Sequence, residues 1–186
     1  MSKVKMFVSV GVMSLAFVAG TSPALNNVPD IKKPNTSFEV DNFLEITKEK
    51  RNYMMMQKVV KALISRVNKT EYVFSGSNTS GWDCSGLVRW TYKHFGLDIP
   101  HSADAQGHVG VRVSKPNVGD IVVFAYRGSK KFYHSAIYAG QNRVVNANLM
   151  YGTTVLQSLT DYKNSQIRFV RVVNQKETQL RLGEIK

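Results

Sequence analysis

The chain of 186 residues holds one cysteine, Cys84, and four histidines, His94, His101, His108 and His134. A lone cysteine cannot close an intramolecular disulfide, so Cys84 is a buried bystander, an intermolecular link or a working thiol. A working thiol attacks as thiolate, and its pKa of roughly 8.5 falls beside a helix N-terminus or an imidazolium. Cys84 meets the first condition if the spacing of Leu87, Val88, Trp90, Thr91 and Phe95 is helical, because it then stands at the helix start. The same backbone N–H groups can face a developing oxyanion. His134 opens the run Ala136-Ile137-Tyr138, which anchors a strand, and is the candidate base. Asn146 is polar inside Val144-Val145-Ala147 and can take a hydrogen bond from the second imidazole nitrogen. Taken singly, each has a plainer reading: a structural thiol, an incidental histidine, a turn residue. Their joint order gives a nucleophile, a base and an orienter on successive elements, as a thiol hydrolase requires.

The remaining histidines form no HExxH and the single cysteine no CxxC, so neither zinc nor another metal or cofactor is expected. His94 is expected on a helix surface or at its cap, and His108 in a loop. Asp120 follows Gly119 at a strand start and reads as a turn-maker. Trp82 and Trp90 could be core or cleft wall.

The elements that must position these groups follow from periodicity. Residues 42–67 carry Phe43, Leu44, Ile46, Tyr53, Met54, Met56, Val59, Val60, Leu63, Ile64 and Val67 at three- and four-residue steps, predicting a helix. The Met54–Met56 cluster reads as core filler. Residues 72–81 are rich in Gly, Ser and Asn and predict a loop leading into Asp83-Cys84-Ser85-Gly86. Gly96 can end the following helix. Apolar runs at 120–126, 134–139, 143–148 and 167–173 predict short strands. Helices first and neighbouring strands afterwards argue for an α+β domain with a mostly antiparallel sheet.

Charge limits the partners. Lys and Arg number 25 against 13 Asp and Glu, a formal +12, which points to an anion: nucleic acid, acidic lipid or bacterial wall. The basic residues are scattered, without the basic and aromatic stripe that marks nucleic-acid binding, so no nucleic acid is expected. Residues 1–24 combine Lys3 and Lys5, an apolar stretch from Met6 to Ala19, and small residues at Ser22 and Ala24, the pattern of a cleaved secretory signal. A secreted or periplasmic chain is expected, or a membrane-anchored one if the segment is not cut. Residues 25–41 read as a linker, 42–173 as the catalytic domain and 174–186 as a polar tail.

Three stretches carry a family resemblance: Asp83-Cys84-Ser85-Gly86, Gly119-Asp120-Ile121-Val122-Val123-Phe124, and His134-Ser135-Ala136-Ile137-Tyr138 with a polar residue after the next turn. Over roughly residues 50–173 the chain resembles the NlpC/P60 cell-wall cysteine peptidases. The resemblance implies a papain-like fold with helices packed on the sheet. It implies hydrolysis of peptidoglycan stem peptides, commonly between D-glutamate and a diamino acid, with Cys84 as nucleophile, His134 as base and Asn146 as orienter. Tyr72, in Tyr72-Val73-Phe74-Ser75-Gly76, would project its hydroxyl into the site, and Asp83 and Ser85 would help bind the stem peptide. His101, Ser102 and Ala103 stand where an Arg and a Ser/Thr pair are usual, Ser135-Ala136 where Val-Gly is, and Asn146 where His is commoner. His101 falls in the region that lines the cleft in relatives, and no direct role is expected for it.

The leading expectation is therefore a secreted endopeptidase of peptidoglycan stem peptides, held on the anionic wall by its basic surface. Two others stay open: a module that docks stem peptides without turnover, and an amidase or acyltransferase on the same fold.

Overall fold

The computed structural model of the chain describes residues 36–174. The expected signal segment and most of the polar tail lie outside the described residues.

Met56, Val59, Val60 and Leu63 bring one face of helix α1 (Ser37–Ile64) onto the core. The helix begins at Ser37, so the expected linker is helical over 37–41. Val40 N already donates to Thr36 O at 2.9 Å, and with Pro34 behind it nothing in this stretch removes a donor. At its other end Asn68, with φ 57, turns the chain out of the helix after Ile64, short of the predicted Val67. Phe43, Leu44 and Ile46, which open the apolar spacing of this helix, are 43%, 56% and 40% exposed, because the packed stretch of α1 is its second half. No described helix is long and apolar enough to cross a membrane.

The predicted loop at 72–81 contains a two-residue hairpin, β1 (Ser77–Asn78) and β2 (Gly81–Trp82), which delivers the chain to α2 (Cys84–Lys93). Leu87, Val88, Thr91 and Tyr92 bury one face of α2, and Gly96, at φ 70, takes the left-handed turn that ends it. Trp82 is wholly buried with Trp90 packed at 5.4 Å, which makes the pair core rather than cleft wall. A short helix α3 (Ala103–Gln106) follows.

The sheet is antiparallel throughout, in the order β3 (Val111–Val113), β8 (Ser165–Arg171), β4 (Ile121–Tyr126), β5 (Phe132–Gly140), β6 (Arg143–Asn148), β7 (Thr153–Ser158). β4 lies between β8 and β5 and is buried on both faces, which is why Ile121 to Ala125 read as one unbroken apolar run. Ile121, Val123 and Ala125 join the cluster with the helices, whereas Val122 and Phe124 pack on the other face with Ala136, Val144 and Leu159. Asp120 is no mere turn-maker: it is 1% exposed, takes Asn117 N at 2.7 Å and pairs with Arg171 at 2.8 Å.

Candidate active site

The segment before Cys84 is shaped by close backbone approach. A Cβ on Gly86 would strike the carbonyl oxygen of Gly76, so the first turn of α2 can sit against the hairpin only with glycine there. Asp83 is the N-cap. Its Oδ1 accepts from Gly86 N at 2.7 Å, Ser85 Oγ at 2.9 Å and His101 Nε2 at 2.9 Å, and its Oδ2 accepts from Ser75 N at 2.9 Å. Burial alone would raise this carboxyl, but the hydrogen bonds from Gly86, His101 and Ser85 outweigh it and hold it below the ordinary value. Asp83 and Ser85 thus organise the helix start from the floor of the cleft.

Cys84 is partly buried at the head of α2, and the residue that reaches its thiol is Ser135, on β5 directly after His134. Burial pushes the thiol up from its ordinary value. The Ser135 N–H pulls it down, the Asp83 charge pushes it further up, and the Ser85 N–H pulls it down again. The sequence led to the opposite expectation, a lowered thiol. The helix start is present, but desolvation outweighs it. The Ser135 hydroxyl, buried and with no other hydrogen-bond partner, also lowers the thiol.

His134 is bracketed by Tyr133, which lines the cleft, and Ser135, which reaches the thiol. Its ring lies among Phe124 at 5.6 Å, Tyr162 at 6.1 Å and Tyr133 at 6.3 Å between centroids. That apolar surround lowers the imidazole to about 4, against the opposing pull of Asn146. His134 Nε2 lies 3.0 Å from Asn146 Oδ1, and Asn146 is wholly buried. At neutral pH the ring is therefore uncharged, with one nitrogen protonated and the other carrying a lone pair.

A cleft of about 530 Å³ opens over Cys84. Tyr72, Asp83, Ser85 and His101 line it together with Phe132 and Tyr133. Tyr72 is held by its backbone, with Tyr72 N donating to Gly152 O at 2.8 Å, and its phenol is raised first by burial and then by the neighbouring Cys84 and Asp83 charges. The fold thus brings Cys84, Tyr72, Asp83 and Ser85 to one cleft, with His134 and Asn146 on the strands at its side. His94 caps α2, its Nδ1 3.0 Å from Trp90 O, and His108 is exposed. Among the described residues no group of three or more His, Cys, Asp or Glu could hold a metal ion.

Three neighbours escaped the sequence reading. His101, for which the sequence predicts no direct role, grips the Asp83 cap, and its position directly after Pro100 is the available signal. Gln106 is buried and donates to Ser85 O at 2.9 Å and Pro100 O at 2.8 Å, tying α3 to the head of α2. Gln157 accepts from Asn146 at 3.1 Å, and nothing in its own strand pattern marks it.

Comparison with known proteins decides the relationship. The model of the NlpC/P60 family matches residues 69–174, more than half of the chain. The chain belongs to the NlpC/P60 family. It is 36% identical over 104 residues to the gamma-DL-glutamyl hydrolase of Bacillus subtilis, covering 54% of this chain and 25% of that protein. It is 38% identical over 87 residues to the murein DD-endopeptidase MepS/murein LD-carboxypeptidase of Escherichia coli, covering 45% of each. The chain thus spans between a quarter and a half of the length of these relatives. The solved NlpC/P60 domain of the peptidoglycan hydrolase SagA is 26% identical, with a TM-score of 0.52 over 61% of this chain and 96% of that one. The fold also recurs, at 22% identity and a TM-score of 0.52 over 63% of this chain and 98% of that one, in RipD of Mycobacterium tuberculosis, described as non-catalytic. Helices on an antiparallel sheet are the family's fold, as expected.

Proposed function

We propose that the chain is an exported cysteine endopeptidase that hydrolyses peptidoglycan stem peptides, the D-glutamyl–diamino acid bond being the one favoured. The observation that carries this reading is the thiol at the head of α2, beside the strand residue that follows an uncharged, hydrogen-bonded histidine, in a cleft lined by Tyr72 and Ser85.

The chemistry runs as acyl transfer. The Cys84 thiol gives its proton to the free imidazole lone pair of His134 as the sulfur forms a bond to the scissile carbonyl carbon. The oxyanion faces the first N–H groups of α2. Collapse expels the amine, which takes the proton from His134 and leaves a thioester on Cys84. Water, deprotonated by His134, then attacks the thioester, and the carboxylate product leaves as the thiol is restored. Asn146 holds the imidazole through the cycle and adds no charge, so the imidazolium formed in transit is less stabilised than with a carboxylate. Tyr72, Asp83 and Ser85 form the stem-peptide side of the cleft.

The test is to incubate the chain from residue 25 onward, and its Cys84→Ala counterpart, with muropeptides and weigh the products. Fragments split within the stem peptide and dependent on Cys84 support the peptidase. Loss of an amide or transfer of an acyl group assigns the site to an amidase or acyltransferase, and binding without cleavage assigns it to a docking module.

A further inference from the structure

The amide of Asn146 could face His134 with either its oxygen or its nitrogen, and the choice decides which imidazole nitrogen carries the proton. A chain of hydrogen bonds settles it from an unambiguous donor. Met150 N can only donate, and it donates to Asn148 Oδ1 at 2.9 Å. Asn148 must then present Nδ2 to Gln157, whose Oε1 accepts it at 3.1 Å. The same Oε1 takes Tyr162 OH at 2.8 Å and so must meet Asn146 through Nδ2, at 3.1 Å. Asn146 is left with Oδ1 toward His134 Nε2 at 3.0 Å, which places the proton on Nε2 and the lone pair on Nδ1.

We propose that Gln157 and Asn148 are positioning residues that, from the Met150 backbone N–H, fix His134 as the Nε2–H tautomer with Nδ1 free to accept a proton. The neutral side chains of Asn146, Asn148 and Gln157 give this relay a direction without any charge of their own, so reversing one polarity reverses all that follow. The catalytic use of Nδ1 rests on the peptidase reading, but the tautomer does not, and the two fail separately.

The test labels histidine with ¹⁵N in the full chain and reads the His134 nitrogen shifts at neutral pH, beside turnover of a soluble stem peptide. The parent is expected to show Nε2–H. Gln157→Glu, which keeps an acceptor in place, is expected to retain both the tautomer and KM. Asn148→Asp offers Gln157 an acceptor instead of a donor. It is expected to turn Gln157 and Asn146 over, move the proton to Nδ1 and lower kcat by up to about 10⁴-fold, the scale of a wrong-tautomer histidine. A parent carrying Nδ1–H, or an Asn148→Asp chain that keeps Nε2–H, overturns the relay. Normal tautomers with no Cys84-dependent cleavage overturn the peptidase reading alone.

A second observation stands apart from the relay. A groove of about 400 Å³ is lined by Arg112, Lys130, Arg168 and His108 and by no acidic side chain. Phe132 belongs to this groove and to the Cys84 cleft. Arg168 is held in place, its guanidinium 4.7 Å over the Phe132 ring and NH1 donating to Gly107 O at 3.2 Å. Arg112 pairs with Val170, so Arg112 and Arg168 stand diagonally on one sheet face. Ser129 Oγ accepts from Lys131 N at 3.0 Å, ordering the turn that carries Lys130. We infer that this groove binds an oxyanion, carboxylate or phosphodiester, on the wall strand whose stem peptide occupies the cleft.

Sedimentation of the Cys84→Ala chain with isolated bacterial walls reads this binding apart from cleavage. Arg112→Gln with Lys130→Gln, both exposed, is expected to weaken binding roughly tenfold at low salt, whereas Lys58→Gln with Lys61→Gln changes it less than about twofold. Walls stripped of phosphodiester polymers by hydrofluoric acid separate the sources. If the groove effect survives stripping the ligand is a carboxylate, and if it vanishes, a phosphodiester. Equal weakening in the two double variants overturns the site.

Discussion

Phe124 and His134 are partners across β4 and β5, and their ring centroids lie 5.6 Å apart. With Tyr162 stacked on Phe124 at 4.0 Å, the imidazole is wrapped in aromatic surface that cannot solvate a charge. Its protonation therefore belongs more to the unfolded chain than to the folded one.

A folded value of about 4 against 6.5 unfolded means that the unfolded state binds the extra proton first as pH falls. The contribution is fully present above 6.5 and is lost progressively down to about 4, up to about 3 kcal/mol at 1.36 kcal/mol per unit. Chemical denaturation from pH 7 to 4 should show this loss in the parent and a flatter dependence in His134→Gln. Equal slopes would reject the assignment.

With the thiol raised and the imidazole lowered, the resting pair is neutral. Alkylation of Cys84 by iodoacetamide should keep rising through and above pH 8.5, the region of an ordinary thiol. A rate already level between pH 5 and 8 would reveal a standing thiolate–imidazolium pair and contradict this account.

His101 grips the Asp83 cap at 2.9 Å. His101→Phe removes that bond, and the Asp83 carboxyl should titrate closer to its ordinary value, with a loss of about 1 kcal/mol in stability. Carboxyl ¹³C titration checks it, and an unmoved Asp83 would show that Gly86 and Ser85 suffice.

Gly86→Ala should cost several kcal/mol, on the scale of core overpacking of roughly 1–3 or more, because the added carbon meets backbone at Gly76 rather than a movable side chain. Thermal melting tests this, and Gly96→Ala, where the added carbon meets only open space but φ is 70, should lose less, about 1 kcal/mol.

How far the fold was legible varies with how local the cause is. The apolar spacing of Leu87, Val88, Trp90, Thr91 and Phe95 marked α2 with Cys84 at its start, and the unbroken apolar run of β4 marked a strand, since both causes lie within one segment. β7 escaped because Thr153–Ser158 mixes polar and apolar residues without clean alternation, and β3 because it has three residues. Gln157 and Asn148 became neighbours of the site only through strand register, and His101 only through the return of the chain to Asp83. The thiol's direction was misjudged for the same reason: a helix start is visible in sequence, whereas the depth at which it is buried is set by packing.

Thr70 O accepts from Thr154 N at 2.9 Å and from Thr153 Oγ1 and Thr154 Oγ1 at 3.0 Å each, while Trp82 Nε1 donates to Thr154 Oγ1 at 2.8 Å. The approach to Cys84 and the strand bearing Gln157 are thereby riveted together at a point just after α1. The end of α1 thus meets the sheet at a fixed point, so a displacement of its exposed first half must move both the buried Met56–Leu63 face and this anchorage before it reaches the segment leading to Cys84. The leading helix can be altered over its exposed half with the cleft insulated from the change.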